Sequence, residues 1–198
     1  ALLRPRFGDF CYDSYELAQM EQLAAELVEA GADGIVTGVL TPEGALDADA
    51  MRPIYAAARR AAEKAGRPVA CTLHRAFDVC ANPFAALETA RSMGLCTILT
   101  SGQVASAPQG AALLRQLTER AGKDVEILAG AGVSAQNIPV LAAQTGVRAF
   151  HLSGKQVLQS RMTFRREGVP MGLPGLDEWH IQQTDADAVC AAKAAVMR

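Results

Sequence analysis

The chain has 198 residues, half of them apolar and 20% charged, the composition of a globular domain large enough to build its own core. Lys and Arg number 19 against 21 Asp and Glu, a net charge of −2, so the basic excess that holds a nucleic-acid backbone is missing. No apolar run reaches the roughly 18 residues of a membrane span, and the opening ALLRPRFGDF lacks the apolar stretch of a signal peptide.

Short apolar runs alternate with amphipathic stretches along the chain. Leu2-Leu3 reads as a strand leading into Arg4. Asp13 with Glu16 three positions later is a capping-box pattern, and Leu17, Met20, Leu23, Ala24 and Leu27 follow at helical spacing up to Gly31. Gly34 to Leu40 predicts a strand, and Met51, Ile54, Tyr55 and Ala58 mark a helix. Val69 to Phe77 predicts the next strand, and Asn82-Pro83 opens a helix that Gly94 closes. Cys96 to Thr100 is a strand, Ser106 with Gln109 opens a helix, and Val125 to Ala129 is a strand. Ser134 opens a short helix ending at Gly146, Val147 to Leu152 is the last strand, and Thr184 to Met197 is helical.

Strand and helix alternate about every 30 residues, which requires parallel strands joined by crossovers. The class is α/β. A doubly wound sheet would carry a GxGxxG or P-loop after its first strand, and neither occurs. Polar residues at the strand ends favour a TIM (β/α)8-type barrel in a single domain. Six βα units are present out of eight, so the expectation is an N-terminally shortened barrel that stays open or closes its edges against another copy as a homo-oligomer.

In such barrels the site lies at the C-terminal ends of the strands. There the sequence places Arg4, Arg6 and Asp9, then Thr37, then His74, Arg75 and Asp78. Ser101 and Gln103, Gly130 and Gly132, and His151 and Ser153 follow. Arg forks bind carboxylate or phosphate, and His works as acid or base near neutral pH. His74 and Asp78 are therefore the catalytic candidates and the others candidate ligand contacts, with the Gly130–Gly132 turn as a phosphate cradle. The plainer alternative makes Arg75 and Asp78 a rim ion pair and His74 a satisfied hydrogen-bonded residue.

The five cysteines (Cys11, Cys71, Cys80, Cys96, Cys190) are odd in number, scattered and never in CxxC spacing, which reads as free thiols in a reducing, cytoplasmic compartment. Cys11 in the first rim loop and Cys80 just after HRAFD are the candidate metal ligands. Cys71 and Cys96 read as small core residues, and Cys190 as packed under a helix. The loop carrying Arg161, Arg165, Arg166, Pro170, Met171 and Trp179 either covers the barrel mouth or is solvated surface.

Several segments, in this order, resemble the CutC family, named for copper homeostasis. They are Arg4-Pro5-Arg6 with Gly8-Asp9-Phe10-Cys11-Tyr12, Val36-Thr37-Gly38-Val39-Leu40, His74-Arg75-Ala76-Phe77-Asp78 with Ala81-Asn82-Pro83, and Leu99-Thr100-Ser101-Gly102-Gln103. Ala129-Gly130-Ala131-Gly132-Val133, His151 with Ser153, and Met162 with Phe164-Arg165 complete the match. Phe7, Leu152 and Lys155 depart from the family pattern. The resemblance implies a TIM barrel, a cytoplasmic location and a role in copper trafficking, with Cu(I) as the bound ion and no organic cofactor. The rim residues themselves point instead to an enzyme or sensor for a small anionic metabolite, and both readings stand at this stage.

Overall fold

The computed structural model describes residues 1–166, 168–169, 172, 175 and 177–197. Five parallel strands form one sheet: β1 (Gly34–Thr37), β2 (Ala70–Leu73), β3 (Thr97–Thr100), β4 (Glu126–Ala129) and β5 (Ala149–Phe150). Each strand pairs with the next in sequence, without the reversal of order that marks a doubly wound sheet. Sequential parallel pairing with intervening helices is the α/β arrangement of the TIM-barrel type. The expected first strand is reduced to a single parallel bridge, Leu2 to Val36, at the edge of β1.

The intervening helices are α1 (Ser14–Glu29), α2 (Ala48–Lys64), α3 (Pro83–Ser92), α4 (Ala111–Ala121) and α5 (Ile138–Thr145). Their starts follow from their caps. Asp13 and Glu16 close a full capping box on α1, and the Asn82 side chain accepts the Phe84 and Ala85 N–H groups at the start of α3, with Pro83 at its first position. The α4 start departs from the sequence reading. Ser106 and Gln109 lie in a turn, and Gly110 is the N-cap. A Cβ on Gly110 would sit 1.9 Å from the Ser101 carbonyl oxygen, so a side chain is excluded where this turn crosses the end of β3.

The strands alternate in burial. Ile35, Thr37, Cys71, Leu73, Ile98, Thr100, Ile127 and Ala129 are buried, whereas Val36, Thr72, Leu99 and Leu128 between them are half-buried. The parallel register sets residues of like burial beside one another, as in Thr37–Leu73–Ile98–Ile127. The buried residues join Met51, Ile54 and Tyr55 of α2 and Leu114 and Leu117 of α4 in one core. The Tyr55 hydroxyl, fully buried, donates to the Thr72 carbonyl at 2.8 Å and ties α2 to β2.

Three predicted strands differ: Gly34 to Leu40 ends at Thr37 as β1. Val69 to Phe77 is not one strand: β2 ends at Leu73, and Arg75–Val79 is a 3₁₀ turn. Val147 to Leu152 shortens to the two residues of β5. An antiparallel hairpin absent from the sequence reading follows, β6 (Lys155–Gln159) with β7 (His180–Thr184), and leads into α6 (Ala186–Val196). Every residue of both hairpin strands is exposed. Arg161, Arg165 and Arg166 lie in the connection of this hairpin, with Arg165 stacked on Trp179 at 4.8 Å from the ring centroid. Pro170 and Met171 lie outside the described residues.

Candidate functional site at the strand ends

Beyond β2 the chain turns sharply. His74 caps the 3₁₀ turn, its Nδ1 accepting the Ala76 N–H at 3.2 Å, while Ala76 and Phe77 are fully buried and pin the turn in place. This geometry presents Asp78 to the end of β3. Asp78 Oδ1 accepts the Thr100 hydroxyl at 2.5 Å and the N–H groups of Ser101 (2.9 Å) and Gln103 (3.2 Å). Asp78 Oδ2 accepts Arg75 Nε at 2.6 Å and lies 3.1 Å from the Ser101 hydroxyl. Gln103, at φ +60°, returns its side-chain amide to the Cys80 carbonyl at 2.7 Å. Arg75 Nη2 donates to Ser101 Oγ at 3.1 Å. Arg75, Asp78, Ser101 and Gln103 are thus brought together, and they bond mainly to one another.

The first rim loop forms a second closed group. Arg6 pairs with Glu16 at 2.6 Å and Asp9 at 2.9 Å and donates to the Cys11 carbonyl at 2.9 Å. Its hydrogen bond holds the Asp9 carboxyl below the usual carboxylate range. Glu16 also accepts the Asp13 N–H in the capping box, so Arg6 is fastened to the start of α1. Thr37 is buried, and its hydroxyl donates to the Leu3 carbonyl at 2.9 Å, anchoring the segment that precedes this loop.

Between these groups lies a corner whose polar atoms are not all paired. Arg4 stacks on Phe10, 4.7 Å from the ring centroid, and Phe10 packs against the His74 ring at 4.9 Å. Arg4 makes no ion pair among the described residues; one Nη donates to the Gly8 carbonyl at 2.8 Å. His74 is 4% exposed, and its Nε2 has no hydrogen-bond partner among the described residues. Burial, reinforced by the charge of Arg4, lowers its pKa from 6.5 to about 4, so it is neutral at pH 7. With Nδ1 accepting a backbone N–H, the proton of the neutral ring is assigned to Nε2. The Tyr12 hydroxyl is likewise buried without a hydrogen-bond partner among the described residues, and the Arg6 guanidinium lies over the Tyr12 ring at 5.1 Å from its centroid. Burial pushes the Tyr12 pKa up, and Arg4 and Arg6 oppose the shift. Gly38 borders the corner, where a Cβ would lie 2.9 Å from His74 Nδ1.

The remaining candidates sit further along the sheet. The Gly130 N–H donates to the Thr100 carbonyl, and the His151 N–H to that of Ala129, both as extensions of the sheet. Ala131 and Gly132 take φ of +70° and +69°. Ser153 lines a cleft of about 210 Å³ with Ser134, Lys155 and Ala188. Among the described residues no hydrogen bond or ion pair joins Gly130, Gly132, His151 or Ser153 to the arginine loop.

Cys11 is exposed and lines a cleft of about 590 Å³ with Asp9, Phe10, Thr41, Pro42 and Val79. Cys80 is buried, its thiol pushed up to about 11 by burial, which opposes the thiolate a metal requires. Among the described residues no group of three His, Cys, Asp or Glu side chains is arranged to hold a metal ion. Cys71 is buried as expected, but Cys96 and Cys190 are exposed rather than packed in the interior.

Sequence reasoning missed Phe10, Tyr12 and Glu16 as parts of the rim. Phe10 and Tyr12 alternate in a loop that carries Arg4 and Arg6 at the same spacing, a signal of two stacked arginine–aromatic pairs. Nothing in the sequence reports that Phe10 meets His74.

The profile of the CutC family matches residues 1–156. A CutC family protein of Chromobacterium violaceum is 43% identical over 196 residues, covering 99% of this chain and 76% of its own length. One from Parabacteroides distasonis is 40% identical over 192 residues, covering 96% of this chain and 75% of its own. A crystal structure of a Streptococcus agalactiae protein named as the copper homeostasis protein CutC superposes with a TM-score of 0.69 at 28% identity, covering 76% of this chain and 70% of that one. A rubisco-like protein from Burkholderia fungorum shares the fold alone, with a TM-score of 0.51 at 21% identity over 74% of this chain and 36% of that one. With strand order, rim motifs and relatives in agreement, this chain belongs to the CutC family.

Proposed function

We propose that this chain binds a small anionic metabolite, a carboxylate or a phosphate ester, at the corner formed by Arg4, Phe10 and His74. One observation carries the reading: among the described residues a buried, neutral imidazole keeps an unpartnered Nε2 beside an arginine, Arg4, that makes no ion pair. A buried donor left unpaired costs about 1–3 kcal/mol, and a bound oxyanion removes that cost. Arg4 supplies the charge and His74 a neutral N–H. His74 is a donor in this reading rather than the general base that its residue type implied. Asp78 is a positioning residue, because its oxygens are occupied by the end of β3.

Thermal melting with inorganic phosphate and a panel of carboxylate and phosphate-ester metabolites tests this. At least one compound raises the Tm of the wild type, and Arg4→Ala and His74→Phe each remove the rise. A panel without effect, or a rise that survives Arg4→Ala, refutes it.

A second reading, Cu(I) handling in the cytoplasm, is favoured by the name of the Streptococcus agalactiae relative and by the exposed Cys11 thiol in the rim cleft. Free thiols and Cu(I) share a need for a reducing compartment. In an anaerobic competition titration, Cu(I) binding that Cys11→Ser abolishes supports it, and failure to compete with a chelator of known affinity rejects it. In either reading, the edge strands of the sheet are the surfaces through which copies of this chain would self-associate.

A further inference from the structure

At the opposite end of the sheet from the rim, two cysteines stand side by side. The register pairs Thr72 of β2 with Thr97 of β3, and Cys71 and Cys96 are the residues immediately before them. The Cys96 N–H donates to the Cys71 carbonyl at 3.0 Å, and Cys96 Sγ lies 3.2 Å from the same oxygen. Neighbouring strands run about 4.8 Å apart. That is within the Cα separation of about 4.4–6.8 Å that a disulfide spans. Arg59 of α2 reaches over the pair, donating to the Met93 and Gly94 carbonyls at 3.0 and 3.1 Å just before Cys96.

We infer that Cys71 and Cys96 are a reversible dithiol–disulfide pair, oxidised by a small-molecule disulfide to a cross-link between β2 and β3. Cys96 is exposed and attacks first, as its thiolate, forming a mixed disulfide and releasing one thiol. Cys71 then attacks the Cys96 sulfur and releases the second thiol. The two cysteines lose two electrons and two protons, and the small disulfide gains both as two thiols. Burial raises the Cys71 pKa and Arg59 opposes the rise, so the guanidinium favours the thiolate of the resolving step. The same positive charge disfavours a cation at the pair, which separates this chemistry from metal binding.

The test exposes the reduced, folded protein to oxidised glutathione, blocks remaining thiols and maps the peptides by mass. The expected product joins the Cys71 and Cys96 peptides with loss of two hydrogens, and a dithiol reductant reverses it. In Cys71→Ser the Cys96 peptide instead keeps glutathione, and in Cys96→Ser the buried Cys71 stays unmodified. Cys96→Ser changes an exposed residue and so remains informative if Cys71→Ser fails to fold. Stable glutathione on Cys96 of the wild type, or no oxidation of Cys96 while exposed Cys11 and Cys190 react, overturns the inference.

Discussion

Two neighbouring parts of the rim use similar residues to opposite ends. Around Asp78 the carboxylate oxygens meet donors from β3, the loop after it and Arg75. Around His74, four residues away in sequence, Nε2 and the Tyr12 hydroxyl are buried and unpaired among the described residues, while Arg4 lies on an aromatic ring and pairs with no described carboxylate. Motif residues alone do not separate a strut from a ligand site. Completeness of hydrogen bonding does, because a buried unpaired group costs stability that something must return.

The largest effect that tests this contrast comes from Asp78→Ala. It strands the Thr100 hydroxyl and the Ser101 and Gln103 N–H groups, and a loss of about 4 kcal/mol is expected in chemical denaturation. A loss below about 1 kcal/mol would show that the interlock is not structural.

The next effect is pH dependence. Between pH 6.5 and about 4 the unfolded imidazole of His74 binds a proton that the folded one refuses. The unfolded state therefore holds more protons, and stability falls as pH drops through that window and is retained above it. The expected contribution is about 3 kcal/mol, and it disappears in His74→Phe. Denaturation curves of both proteins at pH 7 and pH 4.5 measure it.

Gly110→Ala forces a Cβ to 1.9 Å from the Ser101 carbonyl, so the turn that supports the interlock must shift, at a cost of about 2 kcal/mol. The smallest effect on stability is at Arg4. Arg4→Ala changes it by less than about 0.5 kcal/mol yet abolishes the ligand-induced rise in Tm. That pairing of a silent fold with a lost response distinguishes a ligand contact from a strut.

Much of the fold was readable from local signals. The Asp13–Glu16 box, the Asn82-Pro83 start and the alternation of apolar runs fixed helices and strands where caps and periodicity agree. Val69 to Phe77 misled because apolar residues resume at Ala76 and Phe77 after His74-Arg75, so the pattern did not show that His74 stops the strand to cap a 3₁₀ turn. Lys155–Gln159 and His180–Thr184 escaped notice because neither strand buries a face and each is rich in polar residues. At the rim, residue types showed which side chains gather at the strand ends but not how they bond there. Arg6 reads as an anion clamp until Glu16, ten positions on, is seen to serve both the helix cap and its guanidinium. His74 reads as an acid or base until burial and the Ala76 N–H leave it a neutral donor.

The most direct measurement is nitrogen-detected NMR of the His74 imidazole, assigned with His74→Phe and followed through a pH titration and addition of the anion that raises Tm most. A buried donor gives a single Nε2–H tautomer that holds down to about pH 4 and a resonance that moves when the anion binds. A ring that titrates near 6.5, or an Nε2–H unmoved by a ligand that still stabilises the protein, would contradict the ligand site at this corner.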